Sequence, residues 1–458
     1  MVLSDTIAAI ATPPGTGGIG LIRITGPRSE EIAHKLFKAR HGAARLQSHR
    51  LYHGDIVSSA TGTVLDEVLL TIMRKPRSYT GEDTVEISCH GGSLITETIL
   101  SEILKSGARL AEPGEFTKRA FLNNRIDLSQ AEAVLDIIMA STDRARELAL
   151  SHLKGDLSLR IEGIRTAVRD ILAMLEAAID FPEDETAVSF HPVADKLQTI
   201  IEEIQVLLST YEEGKIYRQG INAVITGKPN VGKSSLLNRL LGEKRAIVTP
   251  LPGTTRDFIE ETIRIRGVPL KLTDTAGIRT PENMIEKEGL DFVQERLSLA
   301  DVVILVLDGS SELTKEDLAI MEINKTRKTI PVINKADLPH RISTTEIRDL
   351  LPGMDPLRIS AKYGEGVPDL KEAIYNLAMG NSGVSAPALF ITNIRHKTAL
   401  EKTAGLLTQA SEEIHRNSPP ELVSLDIRDA LESMGEITGK TTSEEVLDRI
   451  FSSFCVGK

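Results

Sequence analysis

Across residues 1–122, short apolar runs alternate with turn-forming residues. Thr6 to Ala11 and Ile19 to Ile24 flank Pro13-Pro14-Gly15, which predicts two strands joined by a loop. Val85-Glu86-Ile87-Ser88-Cys89 alternates apolar and polar positions like a half-buried strand, and Leu94 to Leu104 has helical spacing. The pattern changes at Ser129. Ser129 with Glu132 forms a capping-box pair, and helix-forming sequence with few breakers runs on to Lys154. Further helices are predicted from Leu157 to Ile179 and from Val193 to Glu213, divided by the turn-rich Phe181-Pro182-Glu183-Asp184.

Between Ile216 and Met379 the pattern becomes strand–helix alternation. Ile221 to Thr226, Leu270 to Thr273, Val302 to Leu307, Ile330 to Ile333 and Leu357 to Ile359 read as strands. Val302 to Leu307 is apolar throughout, as expected of a strand covered by helices on both faces. Helices resume after Asn381-Ser382-Gly383, and Thr442 with Glu445 caps a last one that ends near Phe454. The implied class is α/β plus all-α. A mixed α/β domain (1–122) precedes a helical domain (123–215 and 381–458), into which a doubly wound α/β domain (216–380) is inserted.

Composition narrows the class. A hydrophobic share of 41% and a charged share of 26% suit a globular chain. No run approaches the ~18 apolar residues of a membrane span, and Met1-Val2-Leu3-Ser4-Asp5 does not open like a secretory leader. Cys89 and Cys455 are too few for a disulfide framework and fit a reducing, cytoplasmic setting. A net charge of −11 excludes a bulk basic nucleic-acid coat, and 3% aromatic residues leave no obvious base-stacking platform. RNA contact through a local patch or a partner stays open.

Gly227-Lys228-Pro229-Asn230-Val231-Gly232-Lys233-Ser234 sits between a predicted strand and helix. Such a loop turns successive N–H groups, here from Asn230 to Ser235, toward phosphate oxygens at a helix N-terminus. Lys233 should reach the β- and γ-phosphates and assist catalysis, with the Ser234 hydroxyl on Mg²⁺. Asp274-Thr275-Ala276-Gly277 ends a strand, where a carboxylate can hold a magnesium-bound water and the Gly277 N–H can meet the γ-phosphate. Asn334-Lys335-Ala336-Asp337 reads guanine, since one carboxylate accepts from both its ring N–H and its amine. Ser360-Ala361-Lys362 fits the loop that closes over the base. A Ras-like GTPase follows. Ile278 stands where Ras-like proteins have a water-orienting Gln, so Glu286 becomes the candidate to align water. Thr254 and Thr255, in Gly253-Thr254-Thr255-Arg256-Asp257, supply a switch, with the Thr255 hydroxyl on Mg²⁺.

Together with the flanking segments, these residues resemble the MnmE (TrmE) family of tRNA-modification GTPases, TrmE-Era-EngA-like proteins, over the whole chain. The resemblance rests on Ala11-Thr12-Pro13-Pro14-Gly15-Thr16-Gly17-Gly18, Tyr79-Thr80-Gly81-Glu82-Asp83 and His90-Gly91-Gly92. Pro113-Gly114-Glu115-Phe116-Thr117-Lys118-Arg119-Ala120-Phe121, Asp127-Leu128 and the tail Phe454-Cys455-Val456-Gly457-Lys458 complete it. It implies a homodimer joined through N-terminal domains that bind a tetrahydrofolate derivative (5-formyl or methylene). It also implies a potassium-activated GTPase. With the FAD-dependent partner MnmG (GidA), in a heterotetramer or larger complex, an aminomethyl-type group would be added to the wobble uridine of certain tRNAs. Arg23, Glu86, Arg125 and Lys458 match the folate contacts, Arg125 standing where the family often has Lys. Asn230, with backbone oxygens near Thr249, Leu251 and Thr254, matches the K⁺ site, and Glu286 the water-activating acid.

Blander readings stand beside these. Gly15-Thr16-Gly17-Gly18-Ile19-Gly20 satisfies G-x-G-x-x-G, but Leu21-Ile22-Arg23-Ile24 reads as a strand where a dinucleotide site needs a helix. Arg23 and Glu86 alone could be an exposed strand pair, and Glu286 a solvated acid at a helix start. Cys455 is either inert packing or an active-site thiol; Gly457 and Lys458 do not suit a prenylation box. The alternative function is a ribosome-assembly or translation GTPase, which would commonly carry a basic RNA-binding module.

Overall fold

The computed structural model of the chain describes residues 5–40, 46–180, 191–242, 261–274, 300–380 and 389–458. The chain divides into two compact units. One takes Met1–Leu135, His152–Leu197 and Gly405–Lys458; the other takes Asp136–Ser151 and Gln198–Ala404.

The first unit carries a seven-stranded sheet. Its strands are β1 (Ile7–Ile10), β2 (Ile19–Thr25), β3 (Phe37–Ala39), β4 (Leu51–Val57), β5 (Val64–Met73), β6 (Thr84–His90) and β7 (Arg109–Leu110). They lie in the order β3-β4-β5-β6-β2-β1-β7, antiparallel except for the β1–β7 pair. Period-two alternation sorts the residues of β2 and β6 between two faces. Ile22, Ile24, Val85 and Ile87 join Ile32, Leu36, Ile99 and Ile103 of helices Ser29–Leu36 and Ser93–Lys105 in one buried cluster. Arg23 and Glu86 therefore fall on the other face, where Ile7 and Ala9 pack with Ala111, Phe116 and Tyr79. The loop ahead of β2 pairs Gly17 and Gly18 with Gly91, and the strand begins at Ile19, so no helix follows the glycines.

An ion cluster built on buried Arg119 and Glu115 locks this face. Arg119, fully buried on helix Glu115–Leu122, donates to Asp5 Oδ1 at 2.8 Å, Glu115 Oε1 at 2.9 Å and Glu82 Oε2 at 3.2 Å. Arg109 reaches Asp5 and Glu115 as well. Burial pushes the Glu115 carboxyl up, but Arg109, the Glu112 N–H and Arg119 outweigh it and hold it below its ordinary value. A depressed folded-state value means this contribution is present at neutral pH and is lost as pH falls through that value. Removing Arg119 would leave Glu115 to Arg109 alone and take a cation from Glu82 and Asp5, a loss of about 1.5–3 kcal/mol on the scale of charged hydrogen bonds.

Helices distant in sequence complete the unit. Asp156–Asp180 packs with Pro420–Thr438, joined by Glu176–Arg428, while Glu162 holds Lys440 just beyond the second helix, each pair at 2.7 Å. Helical sequence on both sides of the inserted domain thus folds together. Two predicted caps move. Asp127, not Ser129, caps helix Leu128–Met139: Gln130 N donates to Asp127 Oδ1 and Asp127 N to Gln130 Oε1, both at 3.0 Å. Ser129 is the buried second residue of the helix, its hydroxyl shared with Asp127 and Ser158. Ser443 occupies the cap of Glu444–Phe451, and Thr442 donates instead to the Glu436 carbonyl.

The second unit carries a six-stranded sheet of β8 (Ile221–Thr226), β9 (Glu261–Ile265), β10 (Val268–Asp274), β11 (Val302–Asp308), β12 (Thr329–Asn334) and β13 (Leu357–Arg358). The order is β13-β12-β11-β8-β10-β9, parallel except for β9. Val302 to Leu307 is buried at every position, as its composition requires. Helices Lys233–Leu241, Lys315–Asn324, Thr344–Leu350 and Val367–Met379 belong to this unit. The helix predicted to run to Lys154 breaks at Ala140–Thr142, where Thr142 accepts from Ala145 N and starts Asp143–Lys154. Val193 to Glu213 likewise divides at Thr210, whose hydroxyl donates to the Leu207 carbonyl and accepts from Ile391 N. Phe181 to Asp184 lies outside the described residues. No helix among the described residues is long and apolar enough to cross a membrane.

Candidate nucleotide and tail sites

β8 feeds directly into the phosphate loop, and helix Lys233–Leu241 leaves it. Two glycines are required there. A Cβ on Gly227 (φ 145°) would sit 2.3 Å from the Val306 carbonyl oxygen, and one on Gly232 (φ 99°) 2.3 Å from Asn334 Nδ2. Asn230 is also left-handed, at φ 65°. Residues of this hand curl the backbone into an anion-accepting concavity on the positive end of the helix. Lys233 is buried, its ammonium 2.7 and 2.9 Å from the carbonyl oxygens of Gly227 and Lys228. Lys228 reaches across to Asp317, a buried residue that also caps its own helix through Thr314. Burial raises that carboxyl, yet Lys228 and Thr314 hold it below the usual carboxylate range.

Asn334, at the end of β12, is 2% exposed and works in both directions. Its Nδ2 donates to the Val231 carbonyl at 2.8 Å, and its Oδ1 accepts from Ala361 N at 3.0 Å. One carboxamide therefore bolts the Gly227–Ser234 loop to the Ser360–Lys362 loop. Asp337 is exposed, and its Oδ1 accepts from the Ser360 hydroxyl at 2.7 Å. That hydrogen bond, with smaller help from Lys362 and Lys335, holds the carboxyl below its ordinary value against partial desolvation. An oriented, ionised carboxylate is what two guanine N–H groups need. Lys335, left-handed at φ 64°, pairs with Asp308 at 2.6 Å, and the Lys362 ammonium lies 5.0 Å from the Tyr363 ring centre.

Asp274 closes β10 opposite Ile225, the penultimate residue of β8, at the same end of the sheet as the phosphate loop. Thr249, Leu251, Thr254, Thr255, Thr275, Ala276, Gly277, Ile278 and Glu286 lie outside the described residues. Ser234 and Ser235 begin the helix after Lys233 and are exposed.

In the other unit the two ends of the sequence meet. Arg23 and Glu86 are register partners on β2 and β6, with Nε and Oε1 2.8 Å apart. The guanidinium is sandwiched 5.4 Å from the Tyr79 ring centre and 5.6 Å from that of Phe116. Arg23 also donates to the Gly457 carbonyl at 3.3 Å. The tail is caught at further points: Gly114 N donates to the Cys455 carbonyl, and Val456 bridges to Pro113. Gly457 (φ 94°) lies so close to β1 that a Cβ would come 2.5 Å from the Ile10 carbonyl oxygen. Phe454 anchors the segment beside the Phe451 ring, with Leu128 and Ala131 in the same cluster. Lys458 is half-buried; burial and then the Arg23 charge lower its ammonium pKa, against the opposite pull of Glu86 and Cys455. Cys455 is partly exposed, whereas Cys89 is buried and its thiol is pushed up to about 11, mainly by that burial. Arg125 is exposed, its Nε donating to the Ser78 carbonyl at 3.2 Å, one residue before Tyr79.

The geometry thus gathers Arg23, Glu86, Lys458 and the Cys455 segment, and sets Arg125 at the residue next to Tyr79. Sequence reasoning missed Tyr79 and Phe116 as the flanks of Arg23, Asp317 as the anchor of Lys228, and Arg239. Arg239 Nε donates to the Ala361 carbonyl at 3.2 Å, and Nη2 donates to that of Lys362.

The chain matches the family described as GTP-binding protein TrmE N-terminus over residues 6–125 and that described as MnmE helical domain over residues 128–455. It is 54% identical over 457 residues to a tRNA modification GTPase MnmE of Syntrophus aciditrophicus (strain SB), covering 100% of both chains. A protein of the same name from Alkaliphilus oremlandii (strain OhILAs) is 44% identical over 461 residues, again covering 100% of both. The G domain of the T. maritima FeoB iron transporter is 30% identical over 34% of this chain and 98% of that one, with a TM-score of 0.28. Matched along its whole length, the chain belongs to the MnmE (TrmE) family of tRNA modification GTPases.

Proposed function

We propose that this GTPase of tRNA modification is potassium-dependent and works with the FAD-dependent MnmG on the wobble uridine of certain tRNAs. In this reading a one-carbon tetrahydrofolate supplies the carbon of the aminomethyl-type group. The observation that carries it is the docking of Cys455–Lys458 on the Arg23–Glu86 pair. Glu86 accepts from pterin N–H groups, and Arg23, Arg125 and Lys458 offer positive charge to the glutamate tail or other polar edges. The chain is taken to be a cytoplasmic homodimer joined through residues 1–122, with helical segments 123–215 and 381–458 around a GTPase domain at 216–380.

In the nucleotide site, Asn230 to Ser235, with Thr249 and Asp274 to Gly277, hold the phosphates, while Asp337, Lys335, Ser360, Ala361 and Lys362 take the base. Asn334 supports both loops. Ser234 and Thr255 would hold Mg²⁺. Asn230, with backbone oxygens near Thr249, Leu251 and Thr254, would hold K⁺, and these cations offset charge developing at the phosphates. Glu286 orients the attacking water in place of the missing Gln at Ile278.

Two experiments check this reading. Asp337→Asn should weaken GTP binding by about 10- to 100-fold, the scale of a lost charged hydrogen-bond pair, and improve xanthosine triphosphate binding. Unaltered base preference in a competition assay would remove the assignment. The purified chain should also bind tetrahydrofolate and capture MnmG. Capture of a ribosomal subunit instead would favour the ribosome-assembly alternative, which the net charge of −11 already disfavours.

A further inference from the structure

Arg239 joins the two ends of the nucleotide site. It lies on helix Lys233–Leu241, six residues after Lys233 (239 − 233 = 6) and about 9 Å further along the axis at ~1.5 Å per residue. From there its guanidinium donates to two successive carbonyls of the base-closing loop, those of Ala361 and Lys362. The turn is shaped to receive it. Gly364 (φ 89°) closes the turn by donating to the Ser360 carbonyl at 2.7 Å. A Cβ on Gly364 would lie 3.7 Å from Cδ, Nε and Cζ of Arg239 alike, so the planar group rests flat against the glycine.

The rest of the same loop is held from the base side. Ala361 N donates to Asn334 Oδ1, and Ser360 Oγ donates to Asp337. The carbonyl side is held by Arg239, whose helix begins with the phosphate-binding residues. Under the guanine-site reading a bound base leaves by lifting this loop, and lifting it breaks charge-assisted hydrogen bonds to Arg239.

We infer that Arg239 is a positioning residue that sets how long a guanine nucleotide stays bound, by latching Ser360–Lys362 over the base. The inference rests on the reading of Asp337 and Ser360–Lys362 as the guanine site. Arg239 touches the loop, not the nucleotide, so its loss should change release without changing chemistry. A lysine keeps the charge but cannot span two carbonyls with a planar fork, and so should latch only partly.

The test uses the full-length chain and a fluorescent N-methylanthraniloyl-GDP probe in stopped flow. Arg239→Met keeps the aliphatic stem and removes the donors. It should release GDP at least about tenfold faster, since even one lost charge-assisted hydrogen bond is worth that factor. Association and the single-turnover hydrolysis rate at saturating GTP should stay as in the parent chain, and Arg239→Lys should fall between the two. Release at the parent rate overturns the latch. So does a hydrolysis rate that falls in step with affinity, which would mean the site as a whole had been disturbed. Should the methionine variant fail to fold in a thermal melt, Arg239→Lys decides alone: faster release supports the latch and parental release overturns it. Asp337→Asn, run in parallel, separates the two claims. Unchanged base preference in that variant removes the guanine-site reading itself, whereas a switched preference with parental release from Arg239→Met removes only the latch.

Discussion

Deleting Cys455–Lys458 is expected to abolish wobble-uridine modification in a reaction reconstituted with MnmG, while basal GTP hydrolysis stays nearly intact. The tail is a partner of the Arg23–Glu86 site rather than an appendage. It gives Arg23 a carbonyl partner at Gly457, half-buries Lys458 beside that pair, and holds Cys455 at the Pro113–Gly114 turn. Without it, Arg23 loses an acceptor and the site loses both the thiol and the second cation. The phosphate loop belongs to the other compact unit and keeps all the partners described for it. Glu86→Ala should separately weaken tetrahydrofolate binding, because the strand pair then offers no carboxylate to pterin N–H groups. Mass spectrometry of the wobble nucleoside measures the first effect and ligand titration the second. Full modification by the truncated chain would reduce the tail to packing.

Replacing K⁺ by Na⁺ at equal ionic strength is expected to cost most of the GTP turnover. Ile278 cannot position water, and the electrostatic help that an arginine finger gives elsewhere is worth about 10³–10⁵ in rate. A monovalent cation at the β- and γ-phosphates can take over that electrostatic role. Asn230 supplies the matching feature: a left-handed, non-glycine residue in the phosphate loop, one position before the backbone that Asn334 fixes at Val231. Phosphate release measured in the two salts checks it. Comparable turnover in both would rule the cation out and return the burden to a protein side chain.

The elements that were legible in the sequence are those whose packing repeats at short range. β11 is buried in a parallel sheet at every position from Val302 to Leu307 and reads as an unbroken apolar run, while β8 and β12 carry shorter ones at Ala223–Ile225 and Ile330–Ile333 and β10 is interrupted by Lys271. β4 was not legible, and Gly54 shows why. The strand needs a residue without a side chain there, since a Cβ would lie 2.3 Å from the Lys38 carbonyl oxygen and 2.6 Å from the Phe37 ring. The cost is a weaker local strand signal. β9 does carry a local signal: Thr262-Ile263-Arg264-Ile265 alternates, and Arg266-Gly267 supplies two left-handed residues for a tight hairpin. Ser129-Glu132 and Asp127-Gln130 have the same spacing two residues apart, and what separates them is tertiary: the part-buried Ser129–Ser158 contact engages the Ser129 hydroxyl.

The motifs Gly227 to Ser234 and Asn334 to Asp337 are each contiguous, so their residues are legible without any long-range pairing. The tail site was not readable from spacing, since Arg23 and Gly457 are 434 positions apart, and it came only through the family resemblance. Arg239 left no trace in the sequence at all. Its partners are backbone carbonyls, which every residue has.

The ion cluster around Arg119 has a genetic consequence. Helix Glu115–Leu122, which carries both Arg119 and Glu115, begins at Gly114, and the Gly114 N–H holds the tail carbonyl of Cys455. A substitution at either charged residue would loosen this domain and the catch on the tail together. Alleles there would behave as temperature-sensitive losses of tRNA modification with GTP hydrolysis spared, and they would map to side chains that touch neither nucleotide nor uridine.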